Sequence, residues 1–325
     1  MKRTRMILII AGIAIVIGIT ALLVYVRFAL PNVGKAENIR AEVNSSRLER
    51  GKYLANNVCV CIDCHSKRDW TKFAGPLVEN TIGQGGEEFN QKIGFPGRYY
   101  ARNITPYGIG DWTDGEVLRA VTCGVSRIGN PLFPVMPYLN YGALDRVDIL
   151  SIIAYIRTLK PIEHNIPPSV SDFPMSFIIH TIPQRARYSV MPDRNNKVAY
   201  GGYLVTAADC AGCHTPQDKG TPIQGMDLAG GFKFPLVTGG TVVSANITQD
   251  LETGIGKWTE KAFINRFKAY SDAGYVPMSV TQGAFNTYMP WTMYTAIQTD
   301  DLKAIYAYLQ TVKPVRNKII KFTPE

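Results

Sequence analysis

Cys61-Ile62-Asp63-Cys64-His65 and Cys210-Ala211-Gly212-Cys213-His214 are the two stretches that decide how this chain is read. In C-x-x-C-H two thiols three positions apart can add to the two vinyl groups of one porphyrin, and the adjacent imidazole then comes up beneath the iron. Cysteine and histidine are scarce here, six and four in 325 residues, so one such pentad by chance has an expectation on the order of 10⁻³. Two are not an accident. A Cys-x-x-Cys pair can also be a zinc half-site or a thioredoxin-like redox pair. Zinc needs four ligands and the redox pair a βαβ setting, and neither accounts for a His directly after both pairs. The motifs therefore predict two covalently attached c-type haems, held by Cys61 and Cys64 and by Cys210 and Cys213, with His65 and His214 as proximal iron ligands.

Outward from the motifs the second half repeats the landmarks of the first in order. Gly51-Lys52-Tyr53-Leu54 is echoed by Gly201-Gly202-Tyr203-Leu204, and Asn103-Ile104-Thr105 by Asn246-Ile247-Thr248. Gly108-Ile109-Gly110 returns as Gly254-Ile255-Gly256, Trp112-Thr113 as Trp258-Thr259, and Met136-Pro137-Tyr138 as Met289-Pro290-Trp291. Both copies then reach a Lys-Pro pair 24 residues after the Met, at Lys160-Pro161 and Lys313-Pro314. Ile149, Ile152, Ile153 and Ile156, and again Leu302, Ile305, Tyr306 and Leu309, give apolar stripes at helical spacing, so each module closes with a helix that proline ends. Ser46 with Glu49 reads as a capping box opening a helix toward the first motif. Strand signals are scarce, and the expected fold is all-α with long haem-wrapping loops.

Lys2, Arg3 and Arg5 precede an uncharged run from Met6 to Val26, long enough to cross a bilayer. A cleaved signal peptide would have a shorter apolar region and an A-x-A-like site, which Ala29 to Val33 does not supply. The reading is a retained single-pass anchor in a bacterial cytoplasmic (inner) membrane, with the haem modules on the periplasmic side. The divisions are anchor 1–27, polar tether 28–46, first module 47–163, proline-rich connector 164–196, second module 197–317 and tail 318–325. The apolar stretch Phe173 to Ile182 suggests that the connector packs across the modules. The net charge of +9 falls to +5 without Lys2, Arg3, Arg5 and Arg27, a mildly basic body suited to acidic redox partners or anionic lipid. Nothing resembles a basic run with interleaved aromatics, and nucleic acid is excluded as a partner.

The sixth iron position falls to Met136 and Met289, 71 and 75 residues after the motif histidines. A lone Met is usually a core gap-filler; a matched Met-Pro-aromatic pair before each closing helix reads as a thioether ligand, which favours reduced iron. His164 and His180, the remaining histidines, are surface or inter-module residues. Trp112 and Trp258, with the Asn-Ile-Thr and Gly-Ile-Gly segments, are read as haem walls offering donors to the propionates, a role for which Arg98, Arg102, Arg119 and Arg127 are also candidates. The glycines from Gly83 to Gly97 would let backbone approach the porphyrin. Cys59 and Cys123 have no partners in the second copy; they pair as a disulfide or stay as free buried thiols.

These modules, each with C-x-x-C-H, Asn-Ile-Thr, Gly-Ile-Gly-x-Trp-Thr and Met-Pro, resemble the class I c-type cytochromes over about residues 47 to 317. More narrowly they resemble the cytochrome subunits of membrane-bound alcohol, gluconate and aldehyde dehydrogenases. The resemblance implies tandem cytochrome c domains after the membrane helix, with His65 and Met136 on one iron and His214 and Met289 on the other. It implies electron relay, with no catalysis by the chain itself, from a dehydrogenase subunit or quinol-side donor to a terminal oxidase or soluble cytochrome. The chain departs from the usual three-haem subunits in having two motifs and an N-terminal span. The rival reading is a dihaem enzyme, a peroxidase or sulfur-compound dehydrogenase, in which one iron is open or carries a thiolate such as Cys123.

Overall fold

The computed structural model describes residues 2–271 and 274–324. Through the first repeat the helices are α1 (Lys2–Ala29), α2 (Ser45–Tyr53), α3 (Cys61–Cys64), α4 (Pro106–Ile109), α5 (Asp114–Cys123), α6 (Tyr138–Tyr141) and α7 (Arg146–Ile156). The connector holds α8 (Met175–Ile178), and the second repeat α9 (Lys197–Ala207), α10 (Cys210–His214), α11 (Glu260–Lys268), α12 (Trp291–Tyr294) and α13 (Thr299–Leu309).

Each repeat is organised by one close helix crossing, α2 on α7 and α9 on α13. Glycine makes the approach possible. A Cβ on Gly51 would overlap the Ser151 carbonyl, and one on Gly201 the Ala304 carbonyl. The stripes predicted from spacing are what these helices bury: Ile149 and Ile153 are fully buried, as are Leu302 and Leu309 nearly so. Each such side chain contributes roughly 1.5–3 kcal/mol on leaving water. The closing helices stop at Ile156 and Leu309, before their prolines, in single turns whose last carbonyls bond locally.

The two repeats share one apolar cluster, which runs from Leu54 and Ile62 through Ile153 to Leu204, Ile297 and Leu302. Across the junction Tyr53 donates its hydroxyl to Asp301 Oδ2 (2.7 Å), and the equivalent Tyr203 donates to Asp148 Oδ2 (2.6 Å). The repeats thus exchange the same bond in both directions. Arg50 adds a bidentate pair to Asp148, at 2.8 and 2.7 Å.

Several local expectations are corrected. Helix α2 is capped by Asn44, whose side chain accepts from Arg47 N–H, and not by a Ser46–Glu49 box; Asn44 sits in the extended conformation that a cap requires. The Trp-Thr repeats prove to be helix starts: Thr113 forms a capping box with Glu116, and Thr259 accepts from Ala262 N–H. The fold is not purely α. Short strands β1 (Glu88–Phe89), β2 (Gly97–Tyr100) and β3 (Val170–Ser171) form one sheet, and β4 (Gln217–Asp218) and β5 (Thr221–Pro222) a hairpin. A second three-stranded sheet joins β6 (Lys233–Pro235), β7 (Thr241–Val243) and β8 (Phe322–Thr323). The connector supplies β3 and the tail supplies β8, so both segments close a loop of the module they follow.

The tether does not float. Ala41 is buried with its N–H on Asp114 Oδ2 (2.7 Å), and the Glu37 carbonyl lies where a Cβ on Gly115 would be. The stretch Phe173 to Ile182 packs on the end of α1, not across the modules. There Ile179 and His180 are buried, His180 Nδ1 meets the Leu30 carbonyl at 3.1 Å, and Phe173 is exposed. Helix α1 contains one apolar segment, Arg3–Ala29, long enough to cross a membrane, with none of its most apolar window buried. Its 28 residues span about 42 Å at the helical rise, against about 30 Å of hydrocarbon.

Candidate haem-attachment and iron-ligand sites

Each C-x-x-C-H segment is a single helical turn entered through a left-handed residue, Val60 (φ 46) in the first copy and Asp209 (φ 49) in the second. This reversal separates the short turn from the helix before it. The first copy has one more residue between its repeated Leu, Leu54 as against Leu204, and its first motif Cys. A π-turn at Leu54–Val58 absorbs it, with Cys59 N–H bonded to the Leu54 carbonyl at 2.8 Å.

The motif histidines are held alike. His65 Nδ1 is 2.6 Å from the Arg102 carbonyl, and His214 Nδ1 is 2.7 Å from the Ala245 carbonyl. A carbonyl only accepts, so in both rings Nδ1 carries the proton and Nε2 presents its lone pair. Burial lowers both imidazole pKa values, which keeps the rings neutral. This is the state and tautomer of an iron-ligating His with its other nitrogen fixed by a backbone carbonyl. Desolvation also pushes the half-buried thiols of Cys61 and Cys210 up to about 12 and raises that of Cys64, so they stay uncharged, as sulfurs destined for thioethers can. The donor set therefore fits two covalently bound haems.

The Asn-Ile-Thr repeats serve this bond. Asn103 Oδ1 accepts from Thr105 N–H and Oγ1 while its Nδ2 donates to the Ile162 carbonyl (2.9 Å). Asn246 does the same with Thr248 and the Val315 carbonyl (2.7 Å). Each buried Asn thus fixes the strand whose preceding residue, Arg102 or Ala245, holds the imidazole. Gly85 and Gly230, at φ +73 and +70, donate N–H to the carbonyls of His65 and His214. A Cβ on either would strike the backbone of Arg102 or Ala245. The close approach these glycines permit is therefore chain to chain.

Met136 and Met289 are half-buried against the shared core. Each precedes a proline-led turn, α6 or α12, that is tied to its own motif by a tyrosine. Tyr141 donates to the Cys59 carbonyl (3.0 Å) and Tyr294 to the Ala208 carbonyl (3.0 Å), each two residues before the first motif Cys. The two tyrosines were not singled out from the sequence, although Met-Pro-aromatic-x-x-Tyr recurs in both copies. They bring each Met-bearing turn beside its Cys-x-x-Cys turn.

The tryptophans diverge. Trp112 packs on the core and its carbonyl takes Arg157 Nη2, whereas Trp258 is 38% exposed. Of the arginines proposed for propionates, Arg98 pairs with Glu88, Arg102 donates to the Pro167 carbonyl, and Arg127 pairs with Asp111. Arg119 donates to the Ser126 carbonyl and keeps a buried Nε without a partner among the described residues. His164 Nδ1 meets the Gln84 carbonyl at 3.2 Å. Cys59 and Cys123 are free and buried, which selects the thiol alternative over a disulfide.

Residues 198–313, the second module, match the family model described as cytochrome c. The chain is 29% identical to the cytochrome c subunit of the quinone-type alcohol dehydrogenase of Gluconacetobacter polyoxogenes, over 84% of this chain and 58% of that protein. It is 28% identical to the gluconate 2-dehydrogenase cytochrome c subunit of Pantoea cypripedii, over 83% and 60%. It is also 27% identical to a diheme cytochrome c-type protein of Cereibacter sphaeroides, over 78% and 82%. The chain spans a little over half the length of the dehydrogenase subunits it matches. The family model and these relatives are cytochromes c and cytochrome c subunits of dehydrogenases, the class that the motifs imply.

Proposed function

We propose that this chain is a membrane-anchored dihaem cytochrome c that relays single electrons from a dehydrogenase or quinol-side donor to a respiratory acceptor on the periplasmic side. The observation that carries the reading is the duplicated site: two Cys-x-x-Cys turns, each followed by a neutral imidazole locked with Nε2 free, and each tied by a tyrosine to a Met-Pro turn. Cys61 with Cys64 and Cys210 with Cys213 hold the two haems, which when bound supply a one-electron iron couple each. His65 with Met136, and His214 with Met289, would hold the two irons. The protein's own contribution is to fix the imidazoles, keep the thioether side apolar and hold the two sites in one rigid core so that little reorganises when charge moves.

The cytochrome c subunits among its relatives support a dehydrogenase as the donor-side partner, and α1 supports anchoring at the inner membrane. Haem quantification against protein mass tests the cofactor reading. Two covalently bound haems per chain are expected, falling to one on Cys213→Ser with Cys210→Ser; a single haem in the unmodified chain would refute it.

A further inference from the structure

The two Met-bearing loops are braced in different ways. The segment before Met136 is held within its own module: Leu132 N–H bonds to the Gly124 carbonyl (2.7 Å), Ser126 N–H to the Asn130 carbonyl (2.8 Å), and Phe133 stacks on Tyr99 at 4.1 Å. The segment before Met289 has brackets from its own module: Gly283 N–H to the Thr238 carbonyl, the Tyr288 hydroxyl to the Pro235 carbonyl, and the Phe285 ring edge-on to Phe322 at 5.7 Å. Further support comes from the first module.

That support is the loop directly after the first haem motif. Arg68, 8% exposed, folds it by donating to the carbonyls of Gly75 and Ala74 and to Asp63 Oδ2 (2.7 Å) inside Cys61–His65. The loop then lies along the second module's segment. Phe73 N–H bonds to the Met278 carbonyl, Val280 N–H to the Thr71 carbonyl, and Lys72 pairs with Ser279. Trp70 meets the Tyr288 ring edge-on at 4.9 Å.

At the centre is Asn286, 1% exposed and three residues before Met289. Its Oδ1 accepts from Ala74 N–H (2.9 Å) and Thr287 N–H, and its Nδ2 donates to the carbonyls of Trp70 (3.2 Å) and Lys72 (3.3 Å). Thr287 Oγ1 in turn accepts the Met289 N–H at 3.1 Å. One amide side chain therefore satisfies three backbone groups of the first module and leads directly into the backbone of Met289. Without it those buried groups lose their partners, a cost that favours opening the loop.

We propose that Asn286 is a positioning residue through which the first module sets the placement of Met289, so that ligation and potential at the second iron depend on an intact loop 68–75 of the first. This rests on Met289 being the second axial ligand. The test uses the full-length haem-loaded protein, with potentiometry and the weak Met-to-iron absorption band as readouts. Met289→Ala and Met136→Ala first show which potential each methionine controls. Asn286→Ala is then expected to lower the potential that Met289→Ala lowers, to weaken the band, and to leave the other potential in place. Phe73→Ala changes only the first module; its ring lies against Tyr270 and Phe285. It should move the same potential in the same direction, by less, and it remains a test if Asn286→Ala does not accumulate. The proposal is overturned if either variant folds with both haems and leaves the Met289-controlled potential unmoved. If Met289→Ala itself moves neither potential, it is the ligand assignment that fails.

Discussion

At the scale of single residues, Asp209 carries an unusual load. It occupies the left-handed entry to the second motif, accepts from Asn140 Nδ2 of the first module at 2.7 Å, and has its carboxyl pushed up to about 6 by burial. Because the folded-state value lies above the unfolded one, the folded protein binds more protons between about pH 4 and 6. The contribution of Asp209 to stability therefore declines as pH rises through that window and is flat above it. Asp209→Asn keeps the acceptor and tolerates the same backbone conformation. It should remove the decline and raise the unfolding free energy at pH 7–8 by about 2 kcal/mol. Denaturant midpoints measured from pH 4 to 8 check this, and parallel profiles for the two proteins would refute it.

At the scale of elements, the crossings α2–α7 and α9–α13 depend on missing side chains. Gly51→Ala or Gly201→Ala places a methyl into a backbone carbonyl of the facing helix, where no rotamer can relieve it. Each should cost about 2–4 kcal/mol, at the upper end for overpacking. Chemical denaturation of each variant measures the loss, and a change within about 0.5 kcal/mol would mean the helices do not approach so closely.

The elements also show what could be read from the sequence. The motif turns, the closing helices and the Met-Pro turns were legible because each rests on local spacing that recurs twice. The Asn44 cap is not legible in the sequence, because Asn and Ser both cap and only backbone geometry chooses between them. Strands of two to four residues, such as β2 and β3, are too short to show alternation. The π-turn was hidden because a single extra residue before Cys61 does not disturb the order of landmarks. Asn286 and the Tyr53–Asp301 and Tyr203–Asp148 exchange were out of reach, since each joins residues far apart in the chain.

For the whole molecule, the shared core and the reciprocal tyrosine bonds argue that the two repeats unfold together. In the proposed anchoring through α1, the tether docked on α5 and the connector docked on α1 would hold the body close to the membrane. Removal of residues 1–29 should release a soluble protein that keeps both haems. The full chain should stay in the membrane fraction through alkaline carbonate washing. Release of the full chain by that wash would contradict anchoring through α1.

The most direct test of the central claim is a potentiometric titration of the purified protein, followed at the haem absorbance, beside Met136→Ala and Met289→Ala. The account predicts two one-electron steps at positive potentials, with each substitution lowering a different one. Strongly negative steps in the unmodified protein, or steps that neither substitution moves, would contradict it.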